Sequence, residues 1–231
     1  MMTEIVGNPI LGMILSLSCF LLGKKINERM KHPVFNPILI TMVLVIVFLK
    51  VFNINYEQYK EQNAILGYLL GPATVALAVP LYKNIDILKK NLSAILIGVL
   101  TGCIVSIASI MGLGILLGAD MEIILSMGPK AVTTPIAMEI SRVLGGIPSL
   151  TAGLVAITGI FGACFAPEIL RFFGIKNKIA MGIAIGTATH ALGTTRAFEL
   201  GEVEGSMSSL SIALAGIITA LLVPYAALLI Q

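Results

Sequence analysis

Lys130, Glu139 and Arg142 are three charged residues in the stretch 126–146, SMGPKAVTTPIAMEISRVLGG, of a chain that is mostly apolar. Pro129 and Pro135 bracket a threonine-bearing segment within it. Hydrocarbon penalises both charge and unpaired backbone. Broken, polar backbone at membrane depth must therefore be buried in protein or line a watery cavity. Thr134-Pro135 reads as an N-cap followed by proline at the first helical position. A half-helix starting there offers free N–H groups and a positive dipole end to an anion. Lys130 adds a full positive charge just before it, and Thr133 and Thr134 add hydroxyl donors. This set suits a small carboxylate that carries a hydroxyl or keto group. The competing reading is that Lys130 snorkels to the interface and the prolines only shape a loop.

Glu139 and Arg142 are three apart and share one helical face. Either they neutralise each other, or Glu139 pairs with Lys130 when the site is empty. A second polar island, GTATHALGTTR, covers 186–196. Imidazole titrates near neutral pH, so His190 is either a proton carrier for coupled transport or a packing histidine. Arg196, three before Glu199, either clamps a carboxylate bidentately or forms a structural pair at the membrane edge. The candidate substrate-binding residues are Lys130, Thr133, Thr134, Glu139, Thr194 and Arg196. His190 and Glu139 are the candidates for ion coupling. No metal-ligand spacing, nucleotide-binding glycine loop or Ser/His/Asp constellation is present, so neither an enzyme nor a cofactor is expected.

The elements that must position these residues are membrane helices. The 231 residues are 57% hydrophobic and 12% charged, with mean hydropathy +1.00. A soluble domain carries about 25% charged residues. Charge-free runs cover 5–23, 33–49, 62–82, 91–119, 143–167 and 205–231. Most reach or approach the ~20 residues that span a bilayer as helix. No alternating strand pattern recurs, which argues against a β-barrel. The expected fold is an all-α polytopic bundle of about seven to eight membrane segments, with Pro/Gly-broken, partly re-entrant helices. It is read as one domain, 1–231, with scaffold helices at 5–62, a broken-helix site region at 63–205 and a closing helix at 206–231.

Expected helices start at about 5–22 and 34–52, the second with Asn36-Pro37 at its entry. Gly71-Pro72 and Pro80 divide 62–82 into two half-helices. Lys/Arg-rich loops at 24–31, 83–90 and 171–178 read as cytoplasmic. That count favours 123–146 dipping in and returning over a full crossing, and puts 199–204 outside and the C-terminus inside. An offset of 57 residues aligns 71–82 with 128–139 and Thr101-Gly102 with Thr158-Gly159, an internal repeat of undetermined sense. Paired interrupted segments of this kind point to transporter sites. Small-residue faces around Gly182, Gly186 and Gly193 suit close helix packing and a homodimer. Cys19, Cys103 and Cys164 lie in apolar runs and read as packing residues. The N-terminal run has no basic segment before it and reads as a retained helix. The charge of +3 comes from loops and does not imply nucleic acid.

The motifs PKAVTTPIAMEIS (129–141), GGIPSLTA (145–152), TGIFGA (158–163) and GTATHALGTTRAFELGEVEG (186–205) resemble the LrgB/CidB family. GPATVALAVPLYK (71–83) and FNPILI (35–40) fit it too, so the resemblance covers essentially the whole chain. It implies a multi-pass protein of the bacterial inner membrane with a small holin-like partner of the LrgA/CidA type. It implies either of two activities. One is secondary transport of a small monocarboxylate such as glycolate, glycerate or pyruvate, with ion coupling. The other is antiholin-like restraint of a holin partner, controlling murein hydrolases and autolysis.

Overall fold

The computed structural model describes residues 9–30, 35, 37–76 and 78–230. The expected helix start at 5, the loop residues 31–34 and Asn36 lie outside the described residues. Among the described residues there are twelve helices and no strand. The chain divides into two compact units, Met1–Leu77 and Ala78–Gln231.

The first unit contains α1 (Pro9–Met30), α2 (Pro37–Val51), α3 (Tyr56–Gln62) and α4 (Ala64–Ala76). The expected loop after residue 22 is helical as far as Met30, because KKINERM holds strong helix formers and no breaker. Helix α3 falls between the expected segments 34–52 and 62–82, capped by the Asn55 side chain, which accepts the Glu57 N–H at 2.9 Å. Ser16 on α1 ties α3 down, with its hydroxyl 2.8 Å from Tyr59 Oη and 2.7 Å from Asn63 Oδ1.

The second unit opens with α5 (Ala78–Lys83); 62–82 holds two helices, α4 and α5, but Pro72 lies inside α4 and Pro80 inside α5, so neither proline marks the division expected of it. It continues with α6 (Ile85–Lys90), α7 (Leu92–Leu116), α8 (Met121–Met127), α9 (Thr134–Leu144), α10 (Pro148–Phe172), α11 (Lys178–Leu200) and α12 (Glu202–Ile230). Across the described residues, α1, α7, α10 and α12 are long and apolar enough to cross a membrane. The burial pattern is that of a protein solvated by lipid. Ile217, Leu221, Leu228 and Leu229 of α12 face outward, while Ser206, Ser208, Ser211 and Thr219 of the same helix are buried.

Two apolar clusters give the directions of these helices. One joins Ile95, Val99 and Cys103 of α7 to Met207 and Ala215 of α12. The other joins Ile107 and Met111 to Val223 and Ala227. Helices α7 and α12 are therefore parallel. The segment 121–144 starts in the second cluster with Ile124 and Leu125, enters the first with Val132 and Ala137, and returns to the second with Ile140 and Leu144. It is a helical hairpin.

The helix α11 is a second hairpin. His190 has φ 46 and ψ −144, which no helix accommodates, and the chain reverses there. In the first half, Gly182 lies against Glu204 and Gly186 against Ser208. In the second half, Thr194 bonds the same Ser208 and Phe198 packs on Gly205. The two halves thus read α12 in opposite order. This corrects the expected sidedness. Asn84 Nδ2 donates to Ser206 Oγ at 3.1 Å and Lys83 lies 4.0 Å from Glu202, so 83–90 and the start of α12 share one end of this unit. The charge count took 178–200 for a crossing, which put 83–90 and 199–204 at opposite ends.

Glycine decides the α11–α12 contact. A Cβ on Gly186 would collide with the backbone of Ser208, whereas one on Gly112 of α7 meets nothing within 4 Å. Gly186→Ala should lower stability by about 1–3 kcal/mol. Gly112→Ala should be neutral, or stabilising by up to about 1 kcal/mol. Thermal unfolding of the two variants in the same detergent checks this, and equal midpoints would contradict the packing.

Candidate functional site

The base of the hairpin 121–144, where α8, α9 and the start of α10 meet, is anchored by hydroxyls. Ser126 Oγ donates to the Glu122 carbonyl at 2.6 Å and accepts the Ile147 N–H at 2.7 Å. Thr151 Oγ1 is 2.8 Å from Ser141 Oγ and 3.1 Å from the Ser126 carbonyl. Gly146 permits this closeness, since its Cβ would sit 2.6 Å from Ser141 Oγ. Gly145, at φ 84, ends α9 in the left-handed conformation that favours glycine. The N-cap of α9 is Thr133, one residue earlier than the pattern implied, and its side chain makes no capping bond. Thr133 and Thr134 are both half-buried.

Lys130 is half-buried in the turn, and no described residue forms an ion pair with it. It lines a cavity of 440 Å³ whose other walls are α10 and the first half of α11. Thr158 and Thr189 belong to that wall, the Thr189 hydroxyl donating to the Ile185 carbonyl at 2.6 Å; Ile157, Phe161, Leu170 and Ile185 make most of the rest apolar. Thr133 and Thr134 do not line it.

His190 is buried just behind the wall. Its Nε2 lies 2.8 Å from the Val155 carbonyl, which can only accept, so Nε2 carries the proton of that bond. The ring occupies the space that a side chain at Gly159 would need, and Thr189 fills the space at Gly162. The small residues of α10 therefore exist to admit the tip of the second hairpin. Thr194 is buried, 2.6 Å from Ser208 Oγ and 3.1 Å from the His190 carbonyl, so its hydroxyl braces the tip from behind.

The remaining candidates lie elsewhere. Glu139 is bound by Arg142 at 2.6 and 3.1 Å on an exposed face, so in this structure its partner is Arg142 and not Lys130. Arg196 joins Glu199 at 2.5 Å and Glu168 of α10 at 3.7 Å. Only Lys130, with His190 behind the wall, belongs to the cavity region. Sequence reasoning missed Thr158 and Thr189 as wall residues, although both sit in quoted motifs. It also missed Glu204, which is 5% exposed with Oε2 lacking a partner among the described residues.

The profile of the LrgB-like family matches residues 16–229. The chain belongs to the LrgB-like family. It is 38% identical over 216 residues to the YwbG protein of Bacillus subtilis (strain 168), covering 94% of this chain and 96% of that one. It is 37% identical over 217 residues to proteins named antiholin-like protein LrgB in Bacillus mycoides (strain KBAB4) and Bacillus cereus (strain B4264), at 94% of each chain. No solved structure matches it. In this LrgB-family chain the long motifs at 129–141 and 186–205 supply the two hairpins, and 158–163 supplies the wall that receives the second.

The strain at His190 yields a prediction. A side chain held in a glycine-only backbone region costs about 1–3 kcal/mol. His190→Ala and His190→Gly both lose the bond to Val155, but only glycine relaxes the backbone. His190→Gly should therefore melt higher than His190→Ala, the reverse of the order expected inside a helix. An alanine variant at least as stable as the glycine one would contradict the reversal.

Proposed function

We propose that this LrgB-family protein is a polytopic membrane carrier for small monocarboxylates, with two re-entrant hairpins meeting beside an anion site at Lys130. The observation that carries this reading is the half-buried Lys130, without an ion-pair partner among the described residues, on the cavity between α10 and the first half of α11. A cation in such a place is costly without an anionic partner, and no residue of the described chain supplies one.

The membrane arrangement follows from charge. Lys/Arg excess assigns 83–90 and 171–178 to the cytoplasm. The contact between Asn84 and Ser206 then supports a cytoplasmic start for α12 and an outer end for its C-terminus. The hairpin 121–144 enters from outside and α11 from inside. The offset of 57 residues that aligns Thr101-Gly102 with Thr158-Gly159 also carries Thr133, at the start of α9, onto His190. This supports an inverted repeat, α7 with the first hairpin and α10 with the second.

The relatives' names favour the second reading more directly than they favour transport. Proteins named antiholin-like protein LrgB align along almost the whole chain. On that reading the protein is a bacterial inner-membrane regulator that restrains a small holin-like partner and through it murein hydrolases. Its helix faces would serve assembly, as a homodimer or with that partner.

Proteoliposomes holding this chain alone, or with its holin-like partner, separate the readings by uptake of labelled glycolate and pyruvate. Uptake is expected with the parent chain. A charge-assisted hydrogen bond contributes about 1.5–3 kcal/mol, so Lys130→Ala should weaken substrate affinity roughly ten- to a hundred-fold. Absence of uptake in both preparations would leave the regulatory reading standing. Single-cysteine labelling in a background without Cys19, Cys103 and Cys164 tests the topology. Positions 176 and 202 should both react from the cytoplasm, and periplasmic reaction at 202 would exclude the second hairpin.

A further inference from the structure

The cavity beside Lys130 is larger and more apolar than a two- or three-carbon acid requires. Such an acid displaces on the order of five waters, at about 30 Å³ each. More than half of the 440 Å³ would remain unfilled. The space is walled by Ile157, Phe161, Ile169, Leu170 and Ile185, and among the described residues no acidic one lines it. A single cation with no second charge of either sign selects a monoanion, because a second carboxylate would be desolvated without a partner.

We infer that the site takes a monocarboxylate with an aliphatic tail, about four to six carbons in all, its carboxylate at Lys130 and its tail between α10 and the first half of α11. The inference rests on the carrier reading and narrows its substrate class. Thr158 lies on the same wall, so a 2-hydroxy or 2-oxo group next to the carboxylate has a threonine beside it. The tail meets hydrocarbon, and each methylene buried there raises affinity roughly fourfold. The same chemistry, an anion with an apolar tail, is offered by a fatty acid from the bilayer.

The test uses the purified full chain in detergent, with thermal stabilisation titrated against glycolate, lactate, 2-hydroxybutyrate, 2-hydroxyisocaproate, malate and palmitate. Affinity is expected to climb roughly fourfold per methylene and level off at 2-hydroxyisocaproate, with malate weak. Ala188→Leu narrows the tail space from an exposed position on the wall. It should abolish the gain for 2-hydroxyisocaproate and leave glycolate unchanged. Lys130→Ala should weaken every acid. Glycolate binding as tightly as 2-hydroxyisocaproate, with both lost in Lys130→Ala, would overturn the tail inference and keep the anion site. Affinity that still climbs to palmitate would overturn it in favour of a lipid. Stabilisation by no acid, or by all acids equally in Lys130→Ala, would overturn both the inference and the site it rests on.

Discussion

The second unit depends on one constraint: a chain that reverses inside an apolar interior must be shielded and must find partners for its polar groups. His190 is where that constraint acts. Its backbone occupies a region that side chains avoid. Three contacts hold it there: the Val155 carbonyl takes the imidazole proton, Gly159 vacates the volume of the ring, and Thr194 bonds the carbonyl of the turn itself. Water would do the same work on a protein surface, but here the Val155 carbonyl and the Thr194 hydroxyl do it.

The first hairpin solves the same problem with hydroxyls. Ser126, Ser141 and Thr151 come from three different helices and meet around Gly146. A serine hydroxyl that both donates and accepts satisfies two backbone groups at once, so a short hairpin can end without water. The outcome is that polar side chains cluster at the hairpins while leucine and isoleucine face outward. Lys130 stands apart from this economy. Each pair, Glu139–Arg142 and Arg196–Glu199, is satisfied within its own helix, three residues apart. The lysine has no such neighbour, and its free charge together with the cavity next to it is what distinguishes a site from a scaffold.

Much of the chemistry was legible in the residues. Lys130 within a proline-interrupted apolar stretch and the Thr134-Pro135 helix start marked the first hairpin, whereas His190 in a threonine- and glycine-rich stretch stood out only as a titratable group. The pairing of Glu139 was open in the sequence, because helical spacing permits Arg142 and loop flexibility permits Lys130. Geometry chose Arg142. Arg196 had the same ambiguity, and its ion pair with Glu168 could not be foreseen because the partner lies on another helix.

By itself the sequence determined the class of solvent, the helical character, the family and the identity of the unpaired cation. These follow from composition, hydrophobic length and motif, which are local properties. Tertiary structure decided the direction of each segment. A run of 23 residues with no proline inside it reads as one crossing, and nothing local announces a reversal at a histidine. The reversal exists because distant residues, Val155 and Gly159, stabilise a backbone conformation that the local sequence disfavours. The size of the cavity, and the role of Thr158 and Thr189 in its wall, arise in the same way from helices brought together across the fold.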